Sequence, residues 1–359
     1  MSQHHRSHFF VMAGGFALFV ALFVIFNQDN RPTALLPLET APSTSSTLTV
    51  IEPTPVSTST PARSATATSS HALSLPSLFA KPFSGSEFKV GRVLEQNDVY
   101  TRHYITYKSG ELTISGIMNV PKGTGPFPVL ILNHGYIDTA IYTNGRGLRR
   151  EQDHFARAGY IVVHPDYRNH AQSSKDTRDE LSVRLGYVED VINAVVALRA
   201  ADLPYVDGER VGMLGHSMGG GITLSALVAQ PDLIDAAVLY APVSGDQRKS
   251  YERWMSRRPE AAEQIRALYG EPASTPDFWD NVSAETFYNR VTAPVRIFHG
   301  TADQDVPLDW SKETKHLLNE AGKDAELVIY PNGPHEFGRD WPDFMRQSTE
   351  FFDRSLKSS

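Results

Sequence analysis

Three residues have the types, the settings and the chain order needed to act together on an acyl bond. Ser217 sits in Gly215-His216-Ser217-Met218-Gly219-Gly220, between a short apolar strand and a helical stretch. A serine bounded by glycines in that setting is a nucleophile elbow, a tight strand-to-helix turn that presents a hydroxyl at the end of a sheet. Gly215 and Gly219 are expected where a side chain would collide with the neighbouring strand or helix. A serine hydroxyl is a weak nucleophile near neutral pH and needs a histidine base, itself oriented by a carboxylate. Two later segments supply them, His299-Gly300-Thr301-Ala302-Asp303 and Pro331-Asn332-Gly333-Pro334-His335. Ser217 is therefore read as the nucleophile, Asp303 as the orienting acid and His335 as the base. Activity should fall when His335 is protonated.

The other candidates are placed around this set. Asp305 is expected at the surface beside Val306-Pro307, and Asp246 is a weaker competitor for the acid. His299 should pack or bond to backbone, His216 should pack beneath the elbow, and His164 and His170 read as structural. A tetrahedral intermediate needs two donors aimed at its oxyanion. The backbone N–H of Met218, directly after the nucleophile, should be one. The other should come from Tyr136, in the loop Asn133-His134-Gly135-Tyr136. No metal or organic cofactor is required by this chemistry.

The elements that position these residues alternate. Tyr100 to Lys108 and Leu112 to Asn119 read as an antiparallel hairpin. Val129 to Leu132, Tyr160 to His164, Arg210 to Leu214, Ala236 to Tyr240, Val295 to His299 and Glu326 to Tyr330 read as strands. Helices are expected at Gly147 to Ala158, Leu181 to Ala200, Ile222 to Ala229, Leu308 to Ala321 and from Trp341 onward. Alternation of this kind predicts an α/β fold with a mostly parallel, doubly wound sheet and the hairpin at one edge. Ligands bind such sheets beyond the carboxyl ends of the strands, where every candidate falls. Residues 243–292 interrupt the pattern as a small helical cap carrying Tyr251, Trp254, Phe278, Trp279, Phe287 and Tyr288. These aromatics are expected mainly to hold the cap to the sheet.

The first part of the chain reads differently. Residues 1–8 form a short positive end, expected in the cytoplasm. Phe9 to Phe26 is an uncharged run of 18 residues, as a helix about 27 Å long and close to the thickness of a bilayer core. An uncleaved single-pass anchor is expected, with the catalytic domain on the extracytoplasmic side; a secreted form after signal cleavage is the alternative. Residues 27–86 are expected to be a disordered tether, because 21 of the 31 residues from Thr40 to Ser70 are Ser, Thr or Pro. The globular domain would then occupy 87–359. A net charge of −7 gives no footprint for nucleic acid. The lack of cysteine removes disulfides, a thiolate nucleophile and thiolate metal sites.

Taken together, Asn133-His134-Gly135, Asp166-Tyr167-Arg168, Gly215-His216-Ser217-Met218-Gly219-Gly220, His299-Gly300-x-x-Asp303 with Val306-Pro307, and His335 form a recognisable set. From about Tyr104 to the end, the chain resembles the α/β-hydrolase fold, and within it the catalytic domain of the prolyl oligopeptidase family and its esterase relatives. The resemblance implies a serine hydrolase acting on a small peptide, amide or ester. Peptide or amide cleavage is the reading closer to the family. A carboxylesterase is the alternative, since a membrane anchor and tether stand where the family's peptidases usually carry a propeller. A non-catalytic surface module is the remote alternative.

Overall fold

The computed structural model describes residues 71–177 and 179–357. The expected membrane span and most of the expected tether lie outside the described residues. Among the described residues, no helix is long and apolar enough to cross a membrane.

The ordered domain begins earlier than the sequence suggested. A short helix, α1 (Leu75–Phe79), is capped by the Ser74 side chain, and both Leu75 and Leu78 are buried. The Gln230 side chain donates to the Leu78 carbonyl at 3.0 Å. This corrects the expected linker, 27–86: its last residues belong to the fold. The reason is a cluster of apolar side chains, Leu73, Leu75, Leu78 and Phe79, inside a serine- and proline-rich stretch. Next comes a strand that the alternation did not reveal, β1 (Ser86–Gln96). It is an edge strand with most residues exposed, so it carries no one-sided apolar pattern.

The remaining strands follow the expected order. They are β2 (Tyr100–Ser109), β3 (Leu112–Pro121), β4 (Phe127–Asn133), β5 (Ile161–Pro165), β6 (Val206–His216), β7 (Ala236–Tyr240), β8 (Val295–Gly300) and β9 (Ala325–Tyr330). One nine-stranded sheet runs β1-β2-β3-β5-β4-β6-β7-β8-β9. β1, β2 and β3 pair antiparallel and β3 meets β5 antiparallel, while β5 through β9 in the sheet are parallel.

Alternate residues of the central strands serve opposite faces, as the period of two requires. Val129, Ile131, Met213, Leu239 and Ile297 pack into one core. Leu130, Leu132, Leu214, Val238 and Phe298 pack into the other. The crossover from β4 to β5 is α2 (Arg149–Arg157), whose Phe155 lies in the second core. The crossover to β6 is α3 (Leu185–Ala200), whose Val188, Val191 and Val195 lie in the first. The chain thus turns to opposite faces on the two sides of β4, and the carboxyl ends of β4 and β6 border a crevice. The expected helix from Leu181 is broken: Asp179–Ser182 is a 3₁₀ turn, and Val183 and Arg184 have φ of 43° and 67° before α3 starts.

Beyond β6 come α4 (Met218–Ala229) and β7, then the cap. The cap holds α5 (Gln247–Arg253), α6 (Pro259–Tyr269), α7 (Pro276–Val282) and a 3₁₀ turn at Ala284–Arg290. Trp279, Tyr251, Phe278 and Tyr288 are buried in the first core, so these aromatics hold the cap to the sheet. The chain closes with α8 (Leu308–Glu320) between β8 and β9, and α9 (Trp341–Leu356) on the second face.

Candidate active site

Ser217 stands between the last residue of β6 and the first of α4, with φ 54° and ψ −118°. That backbone is unfavourable for any residue bearing a Cβ and persists only where the surroundings hold it. The Ser217 N–H donates to the Tyr240 carbonyl at 2.9 Å, and its own carbonyl accepts from Val243 and Gly220. The glycines are required by contact. A Cβ at Gly219 would lie 2.0 Å from the Asn133 carbonyl oxygen, and one at Gly215 would lie 2.2 Å from that of Gly219. The helix begins at Met218, four residues before its expected start, because Gly219, Gly220 and Gly221 pack closely enough to continue the turn directly into α4. The Met218 N–H therefore belongs to the first turn of a helix, where backbone donors have no partner within the helix and the dipole favours negative charge.

Asp303 and His335 arrive on the loops after β8 and β9 and meet. His335 Nδ1–H donates to Asp303 Oδ2 at 2.7 Å. That bond fixes the tautomer in which Nε2 is the free acceptor. The other carboxylate oxygen accepts from the Asp305 and Val306 N–H groups at 2.8 and 2.9 Å. His299 is buried and adds a bond that the sequence did not reveal. Its Nε2 faces two acceptors, Val306 O at 3.0 Å and Asp303 Oδ2 at 3.1 Å, while Nδ1 is 2.7 Å from the Ser311 hydroxyl. Burial alone would raise the Asp303 carboxyl. The bonds from His299, His335 and the Val306 N–H outweigh it and hold the group well below the usual carboxylate range.

The competing candidates are occupied elsewhere. Asp246 caps α5 through the Arg248 N–H and pairs with the Arg248 guanidinium. Asp305 is exposed, as expected. His216 lies under the elbow with its ring 4.2 Å from Tyr240 and 4.6 Å from His335. Burial, and then the neighbouring His335, push it down to about 3, so it stays neutral beside the base. His164 is fully buried, and His170 bonds to the Arg168 carbonyl.

Ser217, Met218, Tyr136 and His335 line one cavity of about 390 Å³. Among the described residues, Ser217 Oγ makes no hydrogen bond to His335; in free enzymes that bond often tightens only with substrate bound. Two cap arginines border the site. Arg253 donates to the carbonyls of Asp305 and Gln304 at 2.8 and 3.1 Å, bracing the loop that carries Asp303. Arg258 lies 5.4 Å over the Tyr136 ring and donates to its hydroxyl at 3.2 Å. Both Tyr136 and Arg258 also line a second cavity of about 730 Å³, so their contact stands where the two spaces adjoin. Ligand atoms of Asp303, Asp305 and His335 lie within 4.8 Å of one another, the one cluster among the described residues spaced to hold a metal ion. Within it, His335 Nδ1–H donates to Asp303 Oδ2.

Fold and elbow together define an α/β-hydrolase. The Prolyl oligopeptidase family profile matches residues 147–359, and the chain belongs to that family, whose members are serine hydrolases, both peptidases and esterases. The uncharacterized peptidase YtmA of Bacillus subtilis (strain 168) is 26% identical over 235 residues, covering 65% of this chain and 85% of YtmA. The chain spans only 32% and 25% of the length of two further curated relatives. The acylaminoacyl peptidase of Pyrococcus horikoshii superposes with a TM-score of 0.61 at 24% identity, over 74% of this chain and 43% of that one. Acetyl xylan esterase 1 from Thermoanaerobacterium sp. JW/SL YS485 superposes with a TM-score of 0.56 at 18% identity, over 79% and 91%. At these identities the structural likenesses show the shared fold.

Proposed function

We propose that the protein cleaves peptide or amide bonds of small substrates through an acyl-enzyme on Ser217. One observation carries this reading: His335, bonded to Asp303, lines the same cavity as Ser217 on its strained elbow. Ser217 Oγ attacks the carbonyl carbon and its proton passes to His335 Nε2, while the Asp303 carboxylate holds the imidazole and stabilises its charged form. The tetrahedral oxyanion accepts from the N–H groups of Met218 and Tyr136. On collapse His335 returns the proton to the leaving amine, and water repeats the sequence to release the acid. Family membership and the likeness to a bacterial peptidase support peptide or amide substrates.

Ester cleavage is the second reading, supported by the near full-length superposition on an acetyl xylan esterase. Side-by-side turnover of p-nitrophenyl esters and aminoacyl or dipeptidyl amides separates the two. The first reading expects amide turnover that Ser217→Ala abolishes. Ester turnover with no amide turnover selects the second, and amide turnover that survives Ser217→Ala rejects both. The uncharged run Phe9–Phe26 supports a further proposal, a single-pass anchor holding the catalytic domain outside the cytoplasm. Fractionation with protease protection tests it: release of the full-length chain by salt or carbonate wash would contradict the anchor.

A further inference from the structure

The loop that carries Tyr136 is irregular from its start after β4 to the start of α2, so something outside it must hold its shape. Asp166, the first residue after β5, is fully buried, and its carboxylate accepts four hydrogen bonds. Oδ1 accepts from the Tyr142 hydroxyl at 2.9 Å and from the Gly145 N–H at 2.8 Å. Oδ2 accepts from Asn144 Nδ2 at 2.7 Å and from the Ser115 hydroxyl of β3 at 2.6 Å. Three of the four donors lie within residues 142–145, the returning limb of the Tyr136 loop. These donors fill the acceptor sites of a carboxylate.

All four donors are neutral, which sets Asp166 apart from the other fully buried acid nearby. Asp190 sits in a bidentate pair with Arg168. A buried carboxylate without a cation in contact is costly to keep, and burial raises its pKa.

Two routes connect it to the outgoing limb. The Tyr142 ring stacks on His134 at 4.9 Å, and His134 precedes Gly135-Tyr136 directly. Tyr167, next to Asp166 in the chain, also stacks on His134 at 4.2 Å and donates its hydroxyl to the His134 carbonyl at 3.3 Å. His134 is buried, and burial pushes it down to about 3, so this ring stays neutral within the stack. Both limbs of the loop are therefore tied to one short segment at the end of β5.

We propose that Asp166 is a positioning residue for the oxyanion donor: by holding residues 142–145, and through them His134, it sets where the Tyr136 N–H points. The proposal rests on the acyl-enzyme reading above. Tyr142→Phe is the discriminating variant, because it deletes one hydrogen bond and keeps the ring on His134; Asp166→Asn is the stronger one. A donor out of place weakens binding of the transition state while leaving ground-state binding alone. For Tyr142→Phe, kcat on an ester or amide substrate should fall about 5–20-fold with KM within twofold. The inhibition constant of a boronic acid, which forms a tetrahedral adduct, should rise by the same factor. Asp166→Asn should show the same pattern about tenfold more strongly.

Wild-type phosphonylation of Ser217 is measured in parallel. Unchanged kcat and boronate affinity in a Tyr142→Phe protein with wild-type melting overturns the inference while leaving the serine reading intact. So does a loss confined to KM. Wild-type protein that is not phosphonylated at Ser217 overturns both.

Discussion

Two pairs of neighbouring loops at the carboxyl ends of the strands treat their buried carboxylates in opposite ways. The loops after β8 and β9 surround Asp303 with two histidines and two backbone N–H groups, and the acid is held below its ordinary range. Asp166, directly after β5, is surrounded by four neutral donors, three from the loop after β4 and one from β3, and burial raises it. On the proposed mechanism a charged Asp303 stabilises the charge that forms on His335. Asp166 touches nothing that reacts and acts through the backbone it holds. A family profile beginning at residue 147 covers the first pair and the elbow but stops short of the Tyr136 loop.

The largest effects of substitution belong to the first pair. His335→Gln should lower kcat by about 10⁴-fold or more with little change in melting temperature, since it removes the base and leaves the oxyanion donors. Asp303→Asn should cost about 10³–10⁴-fold, because an amide can stabilise neither the charged imidazole nor its tautomer. If Asp303→Asn instead behaved like Tyr142→Phe, losing only about 5–20-fold, the two carboxylates would not differ in kind. Arg258→Ala should have a smaller effect, a several-fold shift in KM between short and bulky acyl groups, read across a p-nitrophenyl ester series. It removes the contact with Tyr136 between the two cavities and touches neither Ser217 nor His335.

A fourth expectation concerns stability. Glu285, half-buried in the last turn of the cap near Asp246, is raised by burial and then by that neighbour to about 7. The folded state thus binds this proton more tightly than the unfolded chain. Stability contributed by protonated Glu285 is present below the unfolded value near 4.5 and is lost as pH rises towards 7. After allowance for solvent screening the effect is about 1–2 kcal/mol. Melting temperatures from pH 4.5 to 7 should fall less steeply for Glu285→Gln than for the wild type; identical slopes would remove Glu285 from this role.

The two regions also differ in how far they could be read from sequence. The elbow, Asp303 and His335 were legible because each closes an apolar strand at a glycine-bearing turn, and their chain order is meaningful. The structure brings Asp303 and His335 into contact at 2.7 Å. The buried placement of Trp279 and Tyr251 was likewise legible from composition. Asp166 was visible only as one residue of a motif, since its four donors come from β3 and from a loop with no periodicity. His299 was expected to bond to backbone and does, yet its bond to Asp303 depends on a turn geometry that spacing does not encode. α1 and β1 escaped for different reasons. The first hides four apolar residues among serines and prolines, and the second is an exposed edge that buries no single face.

The most direct test of Ser217 as the nucleophile activated by His335 is covalent labelling with a fluorophosphonate, located by peptide mass mapping. Native protein should carry one adduct, on Ser217, and His335→Gln should be labelled at least about 100-fold more slowly. An adduct on another residue, or labelling of His335→Gln at the wild-type rate, would contradict the assignment.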